Sequence, residues 1–113
     1  MSARLPAITL VSALIRRVSQ AGGFATILAH GEDMGGIILV QTAERGEFSG
    51  FFERMMDLNG KASLVSCGPP AGSDSMTVTQ YVERRRGSDP DIWVVELDIA
   101  DAERFAAETI AAS

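Results

Sequence analysis

Residues 89–98 read Asp-Pro-Asp-Ile-Trp-Val-Val-Glu-Leu-Asp, and Ile92 to Val95 within them are apolar at both parities. Successive side chains of a strand point to opposite faces, so such a run needs cover on both of its sides. Asp89-Pro90 is a turn after Ser88, and Asp91 to Leu97 is the predicted strand. Ile37-Ile38-Leu39-Val40 has the same two-sided apolar character. Helices on both faces of a sheet provide such cover, and so does a second subunit.

Upstream, Val11, Leu14, Ile15 and Val18 recur at helical spacing and Gly22-Gly23 ends the pattern, which predicts a helix over about 9–21. Phe24 to His30 reads as a strand. Gly31-Glu32-Asp33-Met34-Gly35-Gly36 is dense in turn formers, so this strand and Ile37 to Val40 are expected to form a hairpin. Phe48 to Met56 is a third strand interrupted by Gly50. Asn59-Gly60 is a hairpin signal leading into a strand from Ala62 to Cys67. After the breaker Gly68-Pro69-Pro70-Ala71-Gly72-Ser73, a helix is predicted from Asp74 to Arg86, ending at Gly87. A last helix, Asp101 to Ala111, carries Ala102, Phe105, Ala106 and Thr109 on one side. The order is α-β-β-β-β-α-β-α. Runs of strands, rather than strict alternation with helices, predict an α+β domain with a mostly antiparallel sheet of about five strands.

The chain has 113 residues, 46% of them hydrophobic and 22% charged. A chain of this size buries about two-thirds of its extended surface, so one domain over 1–113 is expected. The net charge of -5 is unevenly placed. Nine basic and eight acidic residues precede Asp89, whereas one basic and seven acidic residues follow from it. A negative chain makes nucleic acid a disfavoured partner. The one cysteine, Cys67, cannot form an intramolecular disulfide, which favours a reducing cytoplasm. Arg4 and the apolar run Pro6 to Ile15 imitate the start of a signal peptide, but Arg16-Arg17 stand where a small-residue cleavage site should follow. No apolar stretch has the length of a membrane span.

Helical geometry separates the arginines. On the first helix Arg16 falls opposite the apolar stripe and Arg17 at its margin, within reach of the sheet. On the second, Val78, Tyr81 and Val82 define the buried face, with Arg85 in its middle and Arg84 and Arg86 flanking it. An inward guanidinium requires a partner. One reading has Arg84 to Arg86 complement the helix dipole, with Arg85 snorkelling or paired with Asp89 or Asp91. A second has Arg17 and Arg85 converge on a small carboxylate or phosphate. A third gives the arginines to nucleic acid.

Asp91, Glu96 and Asp98 superficially resemble the carboxylates of a metal-dependent nuclease. Parity opposes this, because Asp91 shares a face with Trp93, Val95 and Leu97 while Glu96 and Asp98 point the other way. Asp98 also stands where such sites place a lysine, so no metal site is expected. Trp93, the one tryptophan, is read as a core residue with its indole N–H on a carbonyl, or else as an exposed anchor for a partner. His30 and Cys67 have no spacing that supports a nucleophile pair. Gly60-Lys61 lacks the rest of a phosphate-binding loop, and no dinucleotide fingerprint is present, so no cofactor is expected. Gly31, Gly35 and Gly36 are read as turn residues.

At Val11-Ser12-Ala13-Leu14-Ile15-Arg16-Arg17, Gly22-Gly23-Phe24-Ala25, Gly35-Gly36-Ile37-Ile38-Leu39-Val40 and Asp89-Pro90-Asp91-Ile92-Trp93-Val94-Val95-Glu96, the chain resembles an uncharacterised bacterial family. That family is catalogued as domain of unknown function 1491. The resemblance is loose between about Glu44 and Ser75, and Leu10 departs from an expected aromatic residue. It implies a small single-domain bacterial protein and brings no activity, while drawing attention to Arg17, Asp91 and Trp93. The expectation is therefore a cytoplasmic binding or interaction module rather than an enzyme, working as a homodimer through the apolar sheet face or Trp93. The alternative is a binder of a small anion, or an enzyme, with a pocket built from Arg17, Arg85 and Asp91.

Overall fold

The computed structural model describes residues 5–111, which leaves Arg4 outside the described residues. Its elements are α1 (Ala7–Gln20), β1 (Phe24–Ala29), β2 (Ile38–Glu44), β3 (Glu47–Met56), β4 (Ala62–Cys67), α2 (Ser75–Ser88), β5 (Trp93–Asp98) and α3 (Ala102–Ile110). The α+β order is the one the sequence predicts. Five strands form a sheet in the order β1-β5-β2-β3-β4. It is mixed: β1 with β5, β2 with β3 and β3 with β4 are antiparallel, while β2 and β5 run parallel.

The expected hairpin of β1 with β2 does not form, because β5 lies between them. The cause is the two-sided apolar run of β5. A strand apolar at both parities loses most water-exposed surface in the middle of a covered sheet, whereas β1 keeps exposed residues and takes an edge. The close hairpin is instead β2 with β3, joined by Arg45-Gly46, both at positive φ (54° and 81°), as a type I′ turn requires. The carboxylate of Asp98, at the end of β5, accepts from the amides of Arg45 and Gly46 at 2.8 Å each and holds that turn. The register shift in this pair lies between Thr42, opposite Gly50, and Ala43, opposite Phe48, which leaves Ser49 as the extra residue beside Gly50. The Asn59-Gly60 turn is longer than a two-residue loop. The Asp57 carboxylate accepts from the amides of Asn59 and Lys61, and Gly60 has φ 81°.

Helices cover both faces. Leu10, Val11, Leu14 and Val18 of α1 and Ala102, Ala106 and Ile110 of α3 pack on Ile38, Val40, Trp93, Val95 and Leu97. On the other face Val78, Tyr81 and Val82 of α2 meet Leu39, Phe51, Ile92 and Val94. Both strands singled out by the sequence are thus enclosed within one chain, and the apolar sheet face expected to bind a partner is not exposed. Trp93 is also fully buried, as a core residue rather than an exposed anchor.

Candidate functional site

Because β5 separates β1 from β2, the connection between those two strands must arch over the start of β5. Neighbouring strands lie about 4.8 Å apart, so the segment from His30 to Ile37 bridges about 10 Å while crossing the Asp91–Trp93 backbone. Several bonds pin it there. The Glu32 amide donates to the Asp91 carbonyl at 3.0 Å, and the Trp93 amide donates to the Ile37 carbonyl at 2.7 Å. The Trp93 indole N–H donates to the Glu32 carbonyl at 2.8 Å, the carbonyl partner that the core reading of Trp93 expects. The Glu32 carboxylate turns back on its own loop and accepts from the amides of Met34 and Gly35 at 2.9 and 2.7 Å.

Two glycines make this crossing feasible, and not through turn geometry. A Cβ on Gly31 or on Gly36 would overlap the Asp91 carbonyl oxygen and crowd the Trp93 ring. Neither has the positive φ that favours glycine, so close approach rather than backbone freedom is what requires them. Gly35 faces no such contact, its nearest neighbour being a Glu32 carboxylate oxygen at 3.9 Å. The loop also serves α1. Pro6 supplies no side-chain cap, and the amides of Ala7 and Ile8 donate to the carbonyls of Met34 and Asp33 at 3.1 and 2.9 Å.

His30 closes the arrangement. Its ring lies 4.1 Å, centroid to centroid, from that of Trp93, and its Nε2 lies 3.0 Å from Asp33 Oδ1. Beside it a recess of about 400 Å³ opens, with Ala29 and Ile92 as buried apolar floor and His30, Glu83, Arg86, Gly87, Asp89 and Pro90 around it. In the sequence His30 stands out only as a partner for Cys67, and Arg86 only as a flank of the Arg85 face of its helix. The available signal was Asp33 at i+3 from His30, but local sequence does not show that α2 ends over the same spot.

The structure does not bring Arg17, Arg85 and Asp91 together. Arg17 stands on the α1/α3 face, where it donates to Thr109 Oγ1 at 2.7 Å and Glu108 Oε1 at 2.9 Å, with its guanidinium 5.7 Å from the Phe105 ring centroid. It ties the two helices together rather than reaching the sheet. The Arg17 hydrogen bond is the main cause that holds the Glu108 carboxyl below its ordinary range.

Arg85 stands on the opposite face, under α2. It donates to Tyr81 Oη at 2.8 Å and pairs with Glu53 of β3, not with Asp89 or Asp91. Burial works against its charge, and the hydrogen bonds and charge of Glu53 and Tyr81 more than offset that, so its proton is held more tightly than usual. Tyr81 is pushed up, first by burial and then by its hydrogen bond with Cys67. Asp91 lies outside β5 in the preceding turn, exposed, its amide donating to Asp89 Oδ1 at 3.0 Å. Cys67 is on β4 and His30 follows β1, at opposite edges of the sheet.

These features define a class: a small α+β protein with a mixed five-stranded sheet held between two helices and one, and a glycine-framed loop locked over the start of the central strand. Residues 5–107 match the family model described as "Protein of unknown function (DUF1491)". The chain belongs to that family. It is similar to a DUF1491 family protein from Caulobacter crescentus CB15 solved by crystallography, at 31% identity over 90% of this chain and 94% of that one, with a TM-score of 0.79. The NMR structure of a DUF1491 family protein from the same organism gives 31% identity, 92% and 94% coverage, and a TM-score of 0.76. A protein from A. tumefaciens is 30% identical over 88% of this chain and 89% of its own, with a TM-score of 0.72. No curated protein matches the chain. Among the described residues, no helix is long and apolar enough to cross a membrane.

Proposed function

We propose that this is a bacterial cytoplasmic interaction module that acts by binding rather than by catalysis, and that it works as a homodimer joined through β1. The observation that carries this reading is the character of that edge strand. β1 ends the sheet, contains no charged residue from Phe24 to Ala29, and exposes Phe24 (75%), Ile27 (40%) and Leu28 (40%). An exposed edge offers unpaired N–H and C=O groups to another strand. Antiparallel pairing about a twofold axis sets a strand against its own copy, so any charge near the axis meets a like charge. An uncharged strand avoids that penalty in a chain of net charge -5. β4, the other edge, exposes one large apolar side chain, Val65.

Four carboxylates have structural partners. Asp98 holds a turn, Glu53 pairs with Arg85, Glu108 with Arg17, and Glu32 binds its own loop. Sedimentation velocity and light scattering across a concentration series test the reading. The expected species has twice the 12.0 kDa mass of one chain. Phe24→Lys and Leu28→Lys should shift it to monomer with an unchanged circular dichroism spectrum. A wild-type protein that stays monomeric at about 1 mM overturns the proposal.

A further inference from the structure

We infer that the recess between the end of α2 and the β1–β5 end of the sheet binds a small zwitterion with an apolar side chain, of the chemical class of an apolar α-amino acid. The recess adjoins the end of β1 but does not include Phe24, Ile27 or Leu28, the exposed residues of the proposed dimer contact. Its lining supplies three complementary chemistries. The floor is apolar, formed by Ala29 and Ile92 with Pro90 beside them. The cation is Arg86, which carries no hydrogen bond or ion pair with any of the described residues. The anions are Glu83 and Asp89, and the carbonyl end of α2 adds negative potential at the same place. A ligand carboxylate is matched by Arg86, its ammonium by the carboxylates, and its side chain by the floor.

Two further features fit a space kept open. The His30 ring is held rather than loose, fixed by Trp93 on its face and by Asp33 at Nε2, and so presents a rigid wall. Gly87 lies within α2 without positive φ, and a Cβ there would meet nothing within 4 Å. Glycine weakens a helix relative to alanine, and no packing contact explains it here. Its lack of a side chain leaves the recess clear.

Trp93 is the one tryptophan and sits against the His30 wall, so its fluorescence reports on this place. The full-length protein is titrated with L-leucine, with 4-methylpentanoate, which lacks the ammonium, and with 3-methylbutylamine, which lacks the carboxylate. Emission and melting temperature are both followed. Leucine should give a saturable change in both, and each one-charge analogue should bind at least about tenfold more weakly. Arg86→Gln and Gly87→Leu should each weaken leucine binding at least about tenfold while the protein stays folded by circular dichroism. Arg84→Gln, outside the recess, should leave binding unchanged. No saturable response below about 10 mM leucine overturns the proposal. So does 4-methylpentanoate binding as well as leucine, or full affinity in the folded Arg86→Gln protein.

Discussion

The indole nitrogen of Trp93 and the main-chain oxygen of Glu32 form a 2.8 Å hydrogen bond across 61 residues of sequence. It fastens the loop that crosses the start of β5 to the most enclosed strand of the sheet. The Asp-Pro-Asp turn, the glycine-rich segment and the first turn of α1 all meet at this crossing.

The crossing makes unequal demands on its three glycines. Gly31→Ala and Gly36→Ala each drive a Cβ into the Asp91 carbonyl and against Trp93, and overpacking of this kind costs about 1–3 kcal/mol. Gly35→Ala has open space and should change stability by less than about 0.5 kcal/mol. Urea denaturation of the three variants by circular dichroism checks the order; equal losses at Gly35 and Gly36 would contradict it.

Glu53 and Arg85 are mostly buried, with side chains 18% and 23% exposed. Removing one leaves the other poorly solvated, so Glu53→Leu and Arg85→Met should each destabilise by about 1–3 kcal/mol, less than for a fully buried pair. The double variant leaves no orphan charge and should be more stable than the worse single variant. A double-mutant cycle from denaturation midpoints measures the coupling.

Two carboxyls favour neutral over acidic solution. Glu108 is held below its ordinary value chiefly by the Arg17 hydrogen bond, and Asp74 chiefly by the Thr77 amide it caps at the start of α2. A carboxyl lowered in the folded state contributes stability above its unfolded value, about 4, and loses it as pH falls through the folded value. The melting temperature should therefore fall as pH drops from about 5 toward 2, and Glu108→Gln with Asp74→Asn should make that fall shallower. Melting curves at several pH values follow it.

The β2–β3 turn carries a removable strain. Arg45 has φ 54°, a conformation that asparagine adopts more readily than arginine. Arg45→Asn keeps the amide that donates to Asp98 and gives the preferred Asn-Gly pair, so it should stabilise by about 0.5–1 kcal/mol. Asp98→Ala should act in the opposite direction, since it removes the acceptor for both turn amides.

Several elements were readable because their signals are local. Ile92 to Val95 announced a strand with two covered faces by being apolar at both parities, and Val11, Leu14 and Val18 announced the buried side of α1 by their spacing. The same local logic paired β1 with β2 wrongly, since turn formers between two strands say nothing about a third strand arriving later. It also reads Gly31 and Gly36 as turn residues, although what requires them is the backbone of Asp91, distant in sequence from both.

Charge behaved in the same way. Helical phase placed Arg85 inward and Arg17 at a margin, and both placements agree with the structure. Their partners did not follow from sequence, because Glu53 and Glu108 lie 32 and 91 residues distant and reach them only once the sheet order is set. By itself the sequence determined the elements, their order and the need for cover on both faces, all consequences of side-chain periodicity and burial. Tertiary structure alone decided that β5 enters between β1 and β2. The opposite faces covered by α1 and α2 put Arg17 and Arg85 on opposite sides of the sheet, and the strand order drew the loop over Trp93. It also brought His30 to the end of α2, because the path of a connection depends on which strand it must cross.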